Sequence, residues 1–598
     1  MSKVKKRNEI DDKYKWDLTK IYKNKEELEK DIELASKKTE EFLKYKGHLT
    51  DDSNTLLKAT DDYFSLIRII DKLVVYSHMK SDEDKANTES ESIMGKVDKF
   101  TDEVGEKLAF YTPELLEKEY SDIEKLIKEN KSLEKYTFMF KELFREKDHV
   151  LPLEQEEMMA RLGEIFSSEE NTFRMLDDVN LKFKNIKDEE GKEVELTNSN
   201  YSLYLKSKDR RVRKEAFESL YTSYNSFRHT YASLLKGNVK SNFFVSNTRK
   251  YNSPLEMSLY GDNIDKKLYT SLIEKVHNNL DIMKEYIELR KEILNLDEVH
   301  MYDVYAPLVS NVTKKFTYEE AKELVLKALE PLGKTYINDL KTIFDSNCID
   351  VYNNENKRSG AYSWGSYDTL PYVLLNYENK FTDVSTVAHE LGHSMHSFYS
   401  HKYQEYHDAG YPIFLAEIAS TVNEILLNKY CSEHAKTKEE KAYYLNNLLE
   451  NFRTTLIRQT MFAEFELKIH ELEEKGEVLT EEVLSKTYLD LNKEYFTDAA
   501  KVDDLIKLEW ARIPHFYTSF YVYKYATGIS VACRIASDIL DNKPGALENY
   551  MKFLSSGGND FPLEILKKTG IDIVNDDTID KALEMFRSTL QEFKEIVK

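Results

Sequence analysis

His389-Glu390-Leu391-Gly392-His393 is the stretch on which the reading of this chain turns. Upstream, Thr382 or Asp383 offers an N-cap. Val384, Val387, Ala388, Leu391 and Phe398 recur at helical spacing, so a helix is predicted to run to about Ser400. Residues four apart on an α-helix project from one face. His389 and His393 therefore direct two imidazoles at one point, a donor pair suited to Zn²⁺. Glu390 stands between them, placed to take a proton from a water whose pKa such an ion lowers to about 7, and to return it to a leaving amine. Gly392 leaves room for another backbone to approach beside the two histidines.

A hydrolytic metal centre needs a third protein ligand and one open position. His396 shares the face of the motif but lies nearly two turns from His389, and one straight helix does not readily wrap three imidazoles around a tetrahedral ion. Gly410 and Pro412 mark a break, after which a new helix opens near Ile413 with Phe414-Leu415-Ala416-Glu417-Ile418-Ala419-Ser420. Glu417 is the preferred third ligand, with His396 as the alternative. Glu424, two turns further along, is placed to orient a ligating histidine through its second ring nitrogen.

On the N-terminal side of the motif, Gly360-Ala361-Tyr362-Ser363-Trp364-Gly365 and Tyr372-Val373-Leu374-Leu375-Asn376-Tyr377 are aromatic and β-branched and read as two short strands of a small sheet. Pro371 suits a strand start or an edge. Elsewhere the pattern is helical. Residues 28–43 and 63–79 carry apolar side chains at spacings of three and four. Helical periodicity returns over 209–298 and 318–345. A charged stretch at 180–200, with Asp188, Glu189, Glu190 and Gly191, reads as a hairpin or connection, which places a boundary between an N-terminal helical domain (1–200) and a catalytic domain (201–598).

The 598 residues exceed what one core serves, since single cores stop growing near ~250–300 residues. With 41% hydrophobic and 32% charged residues the chain is a soluble globular one, and 18 glycines and 10 prolines imply long helices with few turns. The net charge of −22 disfavours nucleic acid and anionic membranes as partners. The short cluster Lys3, Lys5, Lys6 and Arg7 reads as a solvated tail. Cys348, Cys431 and Cys533 form no CxxC pair, which argues against a disulfide framework or a cysteine metal site. No apolar run reaches ~18–20 residues and no secretion signal is visible, so the cytoplasm is the expected location. No obligatory protein partner is indicated.

His389-Glu390-Leu391-Gly392-His393-Ser394-Met395-His396 followed by Ala416-Glu417-Ile418-Ala419-Ser420-Thr421 resembles the thimet oligopeptidase family, and within it the bacterial oligoendopeptidase F branch. Similar residues recur at Trp16-Asp17-Leu18-Thr19, Tyr302-Asp303-Val304-Tyr305-Ala306-Pro307-Leu308, and Ser556-Gly557-Gly558-Asn559. The resemblance implies a mainly α, two-lobed zinc-peptidase fold with a deep channel, one Zn²⁺ per chain held by His389, His393 and Glu417, and cleavage of internal bonds in short unstructured oligopeptides. It also implies a histidine and tyrosines that hold the developing oxyanion. The matching segment runs His515-Phe516-Tyr517-Thr518-Ser519-Phe520-Tyr521-Val522-Tyr523-Lys524-Tyr525, from which His515 and Tyr523 lead and Tyr521 follows.

Overall fold

Helix signals in the sequence are met by helices that begin where a short polar side chain can accept from the first free backbone donors. Asn24, Asp52 and Asn87 cap Lys25–Phe42, Ser53–Asp82 and Thr88–Leu108 in this way. The computed structural model describes residues 4–309 and 315–598. Lys3 of the basic N-terminal cluster lies outside them. The chain is mainly α-helical with three small sheets among the described residues. It divides into two compact units, each assembled from three separated stretches. The expected boundary at residue 200 falls inside the second unit.

The first unit comprises Met1–Asp148, Thr313–Leu427 and Ile535–Gly570. The apolar faces of its N-terminal helices close over a core that includes Leu56, Leu66 and Phe140. A second core joins Trp16, Leu73, Met79 and Val97 to Tyr372 and Leu374 of the sheet. That sheet has Tyr372–Leu374 at its centre, parallel to Ile349–Asp350 and antiparallel to Tyr362–Trp364, with Ser363 opposite Val373. Tyr362–Trp364 is thus an edge strand. Arg7 is not solvated as the tail reading held: it forms ion pairs with Asp350 at 2.6 Å and Glu83 at 3.0 Å. Two buried carboxylates draw it in, because a buried charge is stable only when paired.

The motif helix spans Phe381–Tyr403 and the next long helix Ile413–Glu433. The N-cap is neither Thr382 nor Asp383. The cap is Lys380, two residues before Thr382, and Asp383 reaches back from the third helical position to accept from the backbone N–H groups of Lys380 (2.9 Å) and Glu378 (2.8 Å). The Ser556-Gly557-Gly558-Asn559 segment packs at the other end. A Cβ on Gly557 would lie 2.2 Å from the Asp408 carbonyl, and one on Gly558 2.2 Å from that of Gly410, so only glycine permits this approach.

The second unit comprises His149–Val312, Asn428–Arg534 and Ile571–Lys598. Residues 180–200 contain the expected hairpin, Ile186–Lys187 paired with Glu193–Val194. Asp303, fully buried, binds Arg210 (2.8 Å) and Arg213 (2.7 Å), which accounts for an acid inside the Tyr302–Leu308 motif. The three cysteines are buried and form no disulfide among the described residues. No described helix is long and apolar enough to cross a membrane.

Candidate metal centre

The motif helix and the helix Ile413–Glu433 approach so closely at Gly392 that a Cβ there would lie 2.5 Å from the Ser420 Cα and 2.7 Å from the Ala419 carbonyl oxygen. Asn423, fully buried, fastens the pair by donating from Nδ2 to the Ala388 carbonyl at 3.0 Å. Backbone contact at this point brings Glu417 over the two histidines. His389 Nε2 and His393 Nε2 stand 3.2 Å apart, and Glu417 Oε2 lies 3.5 Å from the first and 3.6 Å from the second. These are the separations that three donors need: ligands at ~2.0–2.1 Å around a tetrahedral Zn²⁺ stand ~3.3–3.4 Å from one another. The donor set therefore fits a small, tetrahedrally coordinated cation.

Each imidazole is held from behind. His389 Nδ1 is bonded to Glu424 Oε1 at 2.7 Å, and His393 to the Ala416 backbone carbonyl. Burial opposes a charge on His389, yet Glu424, Glu390 and Glu417 together raise its pKa to about 9. Burial and the neighbouring His389 push His393 down to about 4. Burial also lifts Glu390 to about 7, against the pull of His389. Three carboxylates around two imidazoles thus make a negative pocket in which a cation fits. Replacing Glu424 by Ala, which frees the His389 ring, is expected to weaken metal affinity ~10–100-fold in a chelator competition titration. An unchanged affinity would remove Glu424 from the centre.

His396 is not part of this cluster. It is fully buried, stacked on Tyr411 (3.7 Å between ring centres) and packed near Phe553. Burial lowers its pKa to about 3, so it is a neutral core side chain rather than the alternative third ligand. Glu390 lies 7% exposed and accepts from the Ser363 backbone, and Ser363 Oγ meets Ser394 Oγ at 2.8 Å. The edge strand is thereby fastened to the motif helix at the carboxylate proposed as base. Neither this link nor Asn423 is announced by spacing; a lone Asn within Val422-Asn423-Glu424-Ile425 was the only available signal.

His515, Tyr521 and Tyr523 belong to the second unit. His515 and Tyr521 are half-exposed and form a ring cluster with Tyr525: His515 lies 6.1 Å from Tyr521 and 6.0 Å from Tyr525, and the two tyrosines are 5.5 Å apart. Tyr523 is 1% exposed, its ring against Tyr269, and burial raises its phenol well above the ordinary range. Tyr523 therefore packs as a core residue, and Tyr521 and Tyr525 are the accessible phenols beside His515. Phe520, just before them, has φ +59° and donates its N–H to the buried Glu466 at 2.9 Å, which fixes the turn that presents Tyr521.

Two histidines one turn apart, a carboxylate between them and a second carboxylate from the following helix make a donor set that a metal-dependent hydrolase could use. Family models agree: residues 203–585 match Peptidase family M3 and residues 114–183 match Oligopeptidase F. This chain belongs to peptidase family M3, a family of metallopeptidases. It is 39% identical to the oligopeptidase PepF of Bacillus subtilis, covering all of this chain and 90% of that one. It is 40% identical to an oligoendopeptidase F homolog of Lactococcus lactis, over 100% and 99% of the two chains. The crystal structure of oligoendopeptidase-F from Enterococcus faecium superposes with a TM-score of 0.74 at 35% identity, covering 96% of this chain and 99% of that chain.

Proposed function

We propose that the protein is a zinc-dependent oligoendopeptidase that cleaves internal bonds of short, unstructured peptides in the cytoplasm. The observation that carries this reading is the triangle of His389, His393 and Glu417, whose edges suit one zinc ion per chain. Zinc held there would act as a Lewis acid on the scissile carbonyl and lower the pKa of a water to about 7. Glu390 takes the proton from the attacking water and passes it to the departing amine. Its placement in a buried pocket beside Ser363, with a pKa lifted toward neutrality, suits both transfers. An extended peptide would add to the edge strand Tyr362–Trp364 by backbone hydrogen bonds, which recognise length and extension rather than a particular side chain. His515 and Tyr521 as donors to the oxyanion rest on the family resemblance, with Tyr521 taking the place first given to Tyr523.

Hydrolysis of a blocked peptide of about ten residues, followed by mass spectrometry, tests the reading. Internal cuts that stop with a chelator and return with zinc support it; trimming from one end only would make the protein an exopeptidase instead. Tyr521→Phe is expected to lower kcat about 10²-fold or more with little change in KM, as loss of one oxyanion donor does. Tyr523→Phe should leave kcat within a few-fold, because its phenol is buried. The reverse ranking in steady-state kinetics would restore Tyr523. The acid limb follows from Glu390: the base works only when ionised, so kcat/KM should hold above its pKa and fall tenfold per pH unit below it. A divalent cation nearby stabilises the carboxylate, so the apparent pKa should lie under about 7. A pH profile lacking a limb that shifts in Glu390→Asp would contradict this.

A further inference from the structure

The second unit holds a cavity of about 210 Å³ within itself, whose lining includes Met283, Met461 and Phe496 together with Arg453, Arg458 and Arg512. Its charges do not balance. Arg290 and Arg453 share Glu450, with Arg453 Nη2 donating at 2.7 Å. Arg458 donates to Glu509 at 2.8 Å, and the other oxygen of Glu509 accepts from Tyr488 at 2.5 Å. Arg512 comes only to 3.7 Å of the same carboxylate, too far for a hydrogen bond, and its buried Nε has no partner among the described residues. Asp177, a further acid that feels the charge of Arg512, already accepts from Tyr224 and Tyr231. Three guanidinium groups and a single carboxylate, that of Glu509, line the cavity, and of the three Arg512 is the one with no carboxylate within hydrogen-bond distance.

A second unmatched group faces the cavity. Asn492 is 1% exposed; its Nδ2 donates to the Tyr488 carbonyl at 2.9 Å, which leaves Oδ1 as a buried acceptor with no donor. The backbone at Arg453 is also unusual, since Phe452–Ile457 forms a π-helical turn, a feature that recurs at functional sites. Buried donors and acceptors are normally satisfied, so a missing acceptor beside Arg512 and a missing donor beside Asn492 describe a ligand. It carries an anion and an N–H, on an apolar body that the methionines and Phe496 would cover.

We infer that this cavity binds the C-terminal residue of a short peptide: its free carboxylate on Arg512, its amide N–H on Asn492 Oδ1, and an apolar side chain among Met283, Met461 and Phe496. The ligand class follows from the lining and is independent of the metal centre. A peptidase releases new C-termini, so such a pocket would let its products, or the ends of its substrates, bind apart from the zinc ligands.

The test is calorimetric titration of the full-length zinc-loaded protein with N-acetyl-L-leucine and with its uncharged amide. Saturable binding of the acid is expected, with the amide at least tenfold weaker. Arg512→Gln should weaken the acid at least tenfold. Ser202→Trp, a change at an exposed residue of the lining, should do the same by obstruction, and it decides the matter if Arg512→Gln fails to fold. His389→Ala/His393→Ala should bind the acid as wild type does. Equal binding of acid and amide, no saturable binding, or loss of binding only in the double histidine variant would overturn the assignment. Displacement of the acid by equimolar inorganic phosphate would also overturn it, giving the cavity to inorganic anions.

Discussion

Glu390→Gln is expected to lose peptide hydrolysis by at least ~10²–10⁴-fold, the range that a positioned general acid–base contributes, while zinc content and melting temperature stay at wild-type values. The two halves of this expectation have separate causes. Glu390 contributes no donor to the triangle of His389, His393 and Glu417, so amidation leaves the ligands in place. Glutamine keeps the shape and can still accept from the Ser363 backbone, but it can neither take a proton from water nor return one to the amine. Single-turnover assays on the zinc-loaded variant check the rate, and metal analysis checks the content. Activity within tenfold of wild type would remove Glu390 from the mechanism.

The second large effect lies at a residue with no chemistry of its own. Gly392→Ala places a methyl group 2.5 Å from the Ser420 Cα and 2.7 Å from the Ala419 carbonyl oxygen, both backbone atoms in a helix that cannot yield as a flexible side chain would. Forcing an extra carbon into a packed interior destabilises by ~1–3 kcal/mol, and separating the helices moves Glu417 away from the histidines. A displacement near 1 Å at a catalytic constellation costs about 10²-fold in rate. The variant should therefore melt at lower temperature, bind zinc more weakly and turn over peptide at no more than about one per cent of the wild-type rate. Normal zinc affinity in a folded Gly392→Ala protein would show that the close approach does not hold the centre together. Ser420→Ala, which removes the hydroxyl that donates to Glu417 Oε2 at 3.2 Å, serves as the comparison that alters the chemistry without crowding the backbone.

How much of this was readable from the sequence divides along a physical line. Where a relation is set by helical geometry it is legible in the sequence: the shared faces of His389 with His393, and of Glu417 with Glu424, are fixed by periodicity once each helix is recognised. The strands at Tyr362 and Tyr372 followed from β-branched and aromatic runs, though the third strand, Ile349–Asp350, is two residues long and too short to carry a pattern. Where a relation depends on tertiary packing, the sequence was silent. Tyr521, Tyr523 and Tyr525 are alternate residues of one segment, and only packing against Tyr269 turns Tyr523 inward. His396 shares a face with His389 and His393, and only Tyr411 and Phe553 reveal that it is filling the core. The interleaving of the two units arises from contacts far apart in the chain, which local periodicity does not encode.

Proton counting gives an independent handle on the same centre. At pH 7 the protein's own charges keep His389 protonated, with a pKa of about 9, and zinc ligation requires that nitrogen free. Zinc uptake should therefore release about one proton, and affinity should weaken as pH falls.

The most direct measurement is anomalous diffraction at the zinc absorption edge from crystals of the purified protein, alongside metal analysis of the same sample. The account predicts one zinc per chain, bonded to His389 Nε2, His393 Nε2 and a Glu417 carboxylate oxygen at about 2.0–2.2 Å. A metal-free active enzyme, or an ion held without Glu417, would contradict it.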